Sequence, residues 1–303
     1  MPTEQDNRSV RVIKSEKRVF YDGYWIRHYD VPDELIYKKQ LIDHLTRRVF
    51  HHTEPGINTP GDRLEDVRSA YEETTDPFRK RVLAAMLAGA LLNRGSDILT
   101  KIVELQELGV TIKSTNELIR ECGRCFLGAL EYGKHIRSRY GEEGLDELWG
   151  EPFKVFTMPV PQYLETRYIK IAQTMRAIDS VAGKLKELFE DVTIFNGLAP
   201  LLNELAESSK EASETQRRDP AIIEIWPRFV AAAERAEEYQ PVVPEGSPRR
   251  THLLCRRGRE LLREGVELIV YLVNKRIPMP RTTEDFINRC ELFKQRHINS
   301  LGS

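Results

Sequence analysis

Residue types that carry acid–base catalysis are concentrated at 51–62, where His52 and Glu54 lie two positions apart and Asn58 follows them. An imidazole and a carboxylate this close in sequence could share a proton, and long loops between helices often hold binding or catalytic residues. The segment is therefore a candidate acid–base site, with His52 and Glu54 as the catalytic pair. The alternative is structural: at helical spacing His52 falls on the apolar stripe of the preceding helix, as a core histidine does.

A pocket around this segment would need walls, and two other segments carry suitable aromatic residues. Trp25 and His28 lie in a short predicted hairpin, and the loop at 149–159 is more apolar than a solvated loop. If the protein is an enzyme or a small-ligand-binding protein, we expect the pocket to lie between the hairpin, the 51–62 segment and this apolar loop. Trp25, His28 and Asn58 would then be binding residues.

A stripe of arginines is the strongest candidate for a binding surface. Arg249, Arg256 and Arg263 recur every seven residues, with His252 and Arg259 beside them. Seven residues make two helical turns, so these side chains share one helix face. The guanidinium fork binds two oxygens of a phosphate or carboxylate at once, which predicts a polyanion or protein partner. Alternatively, the stripe pairs with the acidic stretches at 62–76 and 142–151, or is simply solvated.

The cysteines and histidines do not form a convincing metal or redox site. Cys122 and Cys125 have the spacing of a CxxC motif, but the helical wheel places both inside a helix, on its apolar stripe. Glu131 and His135 could share a metal at a spacing of four, yet they belong to a polar stripe typical of a solvated face. We therefore expect two buried thiols and no metal site.

Common catalytic and nucleotide-binding motifs are missing from the sequence. There is no phosphate-binding loop with its Lys and Ser or Thr, no Gly-x-Gly-x-x-Gly, no Gly-x-Ser-x-Gly and no His-Asp dipeptide. The commonest nucleotide-binding, hydrolase and phosphohydrolase classes are thereby disfavoured. The sequence identifies no cofactor and leaves open whether the protein is an enzyme.

The elements that position these residues are predicted to be almost all helical. Residues 10–29 alternate in the manner of strands, and Asp22-Gly23 is typical of a two-residue hairpin turn. From Asp33 onward the hydrophobic period is helical. Helices are predicted near 33–52, from 62, from the Asp76-Pro77 start to 92, from a Ser96 cap to Gly109, from a capping box at 114–117 to 140, and at 162–191, 197–216, 220 onward, 249–275 and 283–298.

Composition limits the class of protein. The 303 residues are 40% hydrophobic and 31% charged, with a net charge of -1, so no global field attracts nucleic acid or an anionic membrane. Any such binding would need a local patch. The first residues are polar, the longest apolar runs fall short of the roughly 20 residues that span a bilayer, and four cysteines make no disulfide framework. We expect a soluble, cytoplasmic protein without membrane contact.

These observations predict an all-α fold, an irregular antiparallel helical bundle with a short N-terminal β-hairpin. The expected organisation is a hairpin extension at 1–32, a main helical domain at 33–239, a linker at 240–248 and a docked helical pair at 249–303. The first functional hypothesis is a partner-binding or regulatory protein that uses the aromatic hairpin and the Arg249–Arg263 face. The alternative is the enzyme or ligand-binding protein with the His/Glu-lined pocket. Homo-oligomerisation stays open.

Overall fold

The computed structural model is mostly helical, with a small antiparallel sheet at the N-terminus, as predicted. It describes residues 7–31, 33–50, 58–113, 115–136, 154, 158–190, 192–195, 197–214 and 220–299. The helices in this part of the chain are α1 (Glu34–Phe50), α2 (Leu64–Glu73), α3 (Pro77–Glu107), α4 (Glu117–Gly133), α5 (Val160–Phe189), α6 (Leu198–Glu214), α7 (Pro220–Glu238), α8 (Arg249–Lys275) and α9 (Pro280–Phe293). Short 3-10 helices at Gly61–Arg63 and Thr193–Phe195 and a π-helix at Lys294–Ile298 complete them.

The N-terminal sheet has three strands where the sequence predicted a single hairpin. Strands β1 (Val10–Ile13), β2 (Glu16–Tyr21) and β3 (Tyr24–Arg27) pair antiparallel in chain order. Asp22-Gly23 forms the predicted turn, with φ of 49° and 91°. The additional turn, Lys14-Ser15, also has positive φ at both positions, 51° and 67°. Neither residue type marks such a turn, which explains why the sequence did not predict it.

The contacts divide the chain into two compact units. The central unit is Asp30–Thr166, and the sheet-containing unit combines Met1–Tyr29 with Arg167–Ser303. This division follows from spatial contacts between residues, whereas the predicted division into four segments followed from sequence composition. The predicted organisation with a linker at 240–248 therefore stays a prediction.

The central unit is built around α3 and α4. Leu91 of α3 faces Gly128 of α4, and Gly95 faces Phe126, so the two helices run antiparallel. Asp76 caps α3 as predicted, since its Oδ1 accepts a hydrogen bond of 3.0 Å from the Phe78 N–H. Within the described part of the chain, only α3 is long and apolar enough to cross a membrane. Its most apolar window is 72% buried in the fold, as in the core helix of a globular domain.

Two predicted helix starts in the central unit are wrong. Ser96 was expected to begin a helix, but it lies buried inside α3, which continues unbroken to Glu107. There its hydroxyl is 3.1 Å from that of Thr46 on α1, so a polar residue that resembles a cap serves a contact between helices. The capping box at 114–117 was expected to open the next helix at its first residue, but Asn116 is the N-cap of α4, with its Oδ1 2.9 Å from the Leu118 N–H.

The sheet-containing unit has its core along α5. The helical hydrophobic period predicted for 162–191 is confirmed, because apolar residues spaced by threes and fours form a buried stripe: Tyr168, Ile171, Met175, Ile178, Ala182, Leu185 and Phe189. Such a continuous stripe holds one helix against several neighbours. As a result, the beginning of α5 packs against the sheet and the end of α5 packs against α8.

Two glycines let α8 approach its neighbours closely. A Cβ at Gly258 would lie 2.5 Å from Cζ of Phe195, and one at Gly265 would lie 2.6 Å from Cζ of Phe286. Both distances are too short for van der Waals contact, so only glycine fits without rearrangement. Because the glycines are seven residues apart, they fix which face of α8 turns inward.

This packing predicts that Gly258→Ala destabilises the protein although alanine is the better helix former. The gain in helix propensity is about 1 kcal/mol, whereas crowding against Phe195 costs about 1–3 kcal/mol. Gly183→Ala is the matched control, because Gly183 lies inside α5 with nothing within 4 Å of its added Cβ. We expect urea unfolding midpoints to fall for Gly258→Ala and to rise for Gly183→Ala. If both substitutions raise the unfolding midpoint, α8 is not closely packed.

Candidate functional site

The exposed face of α8 carries a concentration of positive charge in its first eleven residues. Leu254, Gly258 and Leu261 are buried, whereas the basic residues between them point to solvent. We define the α8 basic surface as Arg249, Arg250, His252, Arg256, Arg257 and Arg259, all of which are exposed. The first acidic residue of the helix is Glu260. The surface therefore combines five guanidinium groups with no carboxylate of its own.

These arginines differ from exposed arginines on the other helices. Many of the latter have a carboxylate within salt-bridge distance: Arg68, Arg120, Arg124, Arg176, Arg228, Arg235 and Arg289. By contrast, no described carboxylate lies within 4.0 Å of the arginines of the α8 basic surface. In the described part of the chain, the remaining exposed arginines without such a partner are dispersed over β1, the first 3-10 helix and α3.

Arg263, the third member of the predicted stripe, has a different environment. Its Nε lies 3.4 Å from carboxylate oxygens of both Glu237 and Glu267. The acidic neighbours reduce the positive potential of the second half of α8. The predicted stripe thus divides into an uncompensated half that contains Arg249, Arg256 and Arg259 and a compensated half that contains Arg263.

The C-terminal π-helix adds charge beside α8. Nη1 of Arg257 lies 3.2 Å from Nε2 of His297, and the imidazole packs on Phe293 with ring centroids 5.1 Å apart. Burial lowers the pKa of His297, and the positive charges of three arginines lower it further: Arg257, Arg296 and Arg250. Sequence reasoning missed this cluster because it joins two elements, although the seven-residue spacing of Arg250 and Arg257 was a signal that could have been used.

The aromatic residues of the sheet mostly pack within their own unit. Tyr21 and His28 stack on Tyr168 of α5, with ring centroids 5.9 Å and 6.1 Å apart. The Tyr24 hydroxyl donates a hydrogen bond to Asp179. Burial and this hydrogen bond raise the pKa of Tyr24. His28 therefore packs against α5 within this unit, and its role as a binding residue stays a prediction.

Trp25 is half-buried on the opposite face of the sheet. Phe20 lies beside it at 5.1 Å between ring centroids, and the Arg11 guanidinium lies over its ring at 5.2 Å. On this face Arg11, Arg18 and Arg27 are direct cross-strand neighbours. Glu16 offsets part of their repulsion, with carboxylate oxygens 3.0 Å from Arg18 and 3.9 Å from Arg27.

The other predicted site residues stay a prediction. His52 and Glu54 lie outside the described residues, as does most of the apolar loop at 149–159. Asn58 is exposed and belongs to the central unit. The described residues therefore do not test the proposed His/Glu pocket.

Cys122 and Cys125 lie on the buried face of α4, where the helical wheel placed them, with 1% and 2% of their surface exposed. Burial raises the pKa of Cys122 to about 12 and that of Cys125 to about 11, so both thiols are protonated at neutral pH. Among the described residues, no three His, Cys, Asp or Glu side chains lie close enough to share a metal ion.

Comparison with known proteins adds no identification. No family model, curated protein or solved structure matches this chain.

The thiol environments predict an order of chemical reactivity. Cys255 is half-buried, whereas Cys122, Cys125 and Cys290 are at most 2% exposed. The thiolate is the reactive form, and burial raises the pKa of Cys290 to about 12 and also raises that of Cys255. Because Cys255 is the partly exposed thiol, we expect one fast-reacting thiol in the folded protein. Labelling with a chromogenic disulfide should show a fast phase of one equivalent that Cys255→Ser removes. A fast phase that survives Cys255→Ser would contradict the burial of the other three.

Proposed function

We propose that the protein binds a nucleic-acid backbone through the α8 basic surface. The observation that supports this proposal is the group of five exposed arginines in one helical segment without a described carboxylate partner. Arg249, Arg256 and Arg259 form its centre, because they lie opposite the buried face of α8. Arg250 and Arg257 extend it toward His297.

Electrostatics favours an anion on this surface. Arg249 and Arg250 occupy the first turn of α8, where the helix dipole disfavours positive charge by about 0.3–1 kcal/mol per group. The N-cap, Pro248, offers no side-chain hydrogen bond. Like charges on one helix segment repel one another, and together with burial they lower the pKa of the neighbouring His297. A bound phosphate chain would relieve all three effects together.

The residue types favour phosphate over a membrane or a protein partner. Every fixed cation of the surface is an arginine, and its planar fork binds two phosphate oxygens at once. None of the large apolar side chains that are exposed in the described residues belongs to α8, so the surface lacks the apolar anchors of membrane-inserting helices and protein hot spots. From Arg249 to Arg259 it is about 15 Å long, enough to meet several consecutive phosphates.

The proposal predicts that Arg249→Gln, Arg256→Gln and Arg259→Gln together weaken oligonucleotide binding while leaving the unfolding midpoint nearly unchanged. Removing one arginine–phosphate interaction should lower the slope of log affinity against log salt by about 0.7 for a single strand. With three such interactions removed, the slope should fall by about 2, and affinity at low salt by tenfold or more. Fluorescence anisotropy of a labelled oligonucleotide over a range of KCl concentrations measures both quantities.

The matched control is the triple variant Arg228→Gln, Arg235→Gln and Arg289→Gln. It removes the same three charges from exposed helix positions, but each of these arginines already has a carboxylate partner. We expect it to keep most of the affinity of the parent. Equal losses of affinity in the two triple variants would show that net charge alone accounts for the effect. If the unsubstituted protein binds polyglutamate but no oligonucleotide, the partner is an acidic protein instead.

A further inference from the structure

The contact between Arg257 and His297 brings two potential cations together. The guanidinium is always charged and can only donate, so at 3.2 Å the Nε2 atom of His297 must accept. His297 is therefore neutral in this arrangement, with its proton on Nδ1. The Phe293 ring packs against the imidazole, with ring centroids 5.1 Å apart.

The surroundings of this pair carry further positive charge. Arg250 lies two turns before Arg257 on the same face of α8, and Arg296 precedes His297 in the π-helix. Burial lowers the pKa of His297, and the charges of these three arginines lower it further. Among the described residues, no carboxylate lies within 4.0 Å of Arg250, Arg257 or His297. Within the part of the chain that the structure describes, no carboxylate therefore offsets the charges of Arg250 and Arg257 at this distance.

We infer that Arg250, Arg257 and His297 form a phosphate-binding subsite, in which His297 takes up a proton from solvent when a phosphate group binds. The inference deepens the proposed function and rests on it for the source of the phosphate. In the bound state Arg257 donates to phosphate oxygens, and the imidazolium of His297 donates from Nε2 to a neighbouring oxygen of the same group. The hydrogen bond that His297 accepted in the free protein is thereby exchanged for one that it donates.

Proton uptake gives binding a definite dependence on pH. A bound anion stabilises the imidazolium, so the pKa of His297 rises from its lowered value on binding. Affinity must then increase as the pH falls through the interval between the bound and free pKa values, and level off on either side of it. His252 also belongs to the α8 basic surface, but it lies on a different face from Arg257, so its contribution can be removed separately.

The first test uses pyrophosphate alone and follows the imidazole signals by NMR as a function of pH. We expect saturating pyrophosphate to raise the pKa of His297, assigned with His297→Gln. Arg257→Gln should reduce this rise, whereas Arg259→Gln, which removes an equal charge from another face of α8, should leave most of it. The His135 signal, from the central unit, corrects for ionic strength. A pKa of His297 that pyrophosphate does not change would overturn the inference.

The second test measures oligonucleotide affinity between about pH 8 and about pH 5.5, an interval that includes the ordinary histidine pKa of about 6.5. The parent should bind about fivefold or more tightly at the lower pH, since one pKa unit of linkage corresponds to about tenfold in affinity. His297→Gln should lose most of this increase, and His135→Gln, which changes a histidine of the central unit, should retain it. Equal pH dependence in His297→Gln and the parent would overturn the inference.

The two tests separate the inference from the proposed function. If pyrophosphate raises the pKa of His297 but no oligonucleotide binds, the subsite stands as a site for free phosphate compounds and the proposed function fails. If oligonucleotides bind with the predicted salt dependence but His297→Gln changes neither readout, the function stands and the subsite is overturned.

Discussion

The close contact between α8 and its neighbours determines which face of this helix is buried and which is exposed. Gly258 and Gly265 admit the rings of Phe195 and Phe286 against the helix backbone, which no other residue type would allow without rearrangement. Glycine weakens a helix by about 1 kcal/mol, and the close packing that the two glycines allow offsets this loss. Once both contacts are made, α8 has one rotational position, and the face opposite the glycines must lie in water.

That position determines where the charges of α8 lie. The same seven-residue spacing places Gly258 and Gly265 on the buried face of α8 and Arg249, Arg256 and Arg263 on its exposed face. In the second half of the helix, glutamates from α8 and α7 offset Arg263, as carboxylates do for many other exposed arginines. In the first half this compensation is not present among the described residues. Natural sequences depart from such local consistency mainly at functional sites, which makes the first half the place to look for a ligand.

Periodicity in the sequence predicted the elements well because it reports burial directly. The stripe of α5 and the arginine face of α8 follow from spacing alone, and Asp76 could be recognised as a cap from the proline after it. Ser96 resembled a cap but packs between helices, since a hydroxyl satisfies either role. The contact between Arg257 and His297 joins residues 40 positions apart, and no local pattern predicts such a pairing. Whether Arg263 is compensated also depends on Glu237 of another helix.

The central claim is that the arginines in the first half of α8 contact the phosphates of a nucleic acid. The most direct measurement modifies arginine side chains with a phenylglyoxal reagent, with and without a bound oligonucleotide, and quantifies each site by peptide mass spectrometry. We expect strong protection of Arg249, Arg256 and Arg259 and unchanged modification of Arg228 and Arg235. Protection spread equally over both groups, or confined to arginines outside α8 while the oligonucleotide is bound, would contradict it.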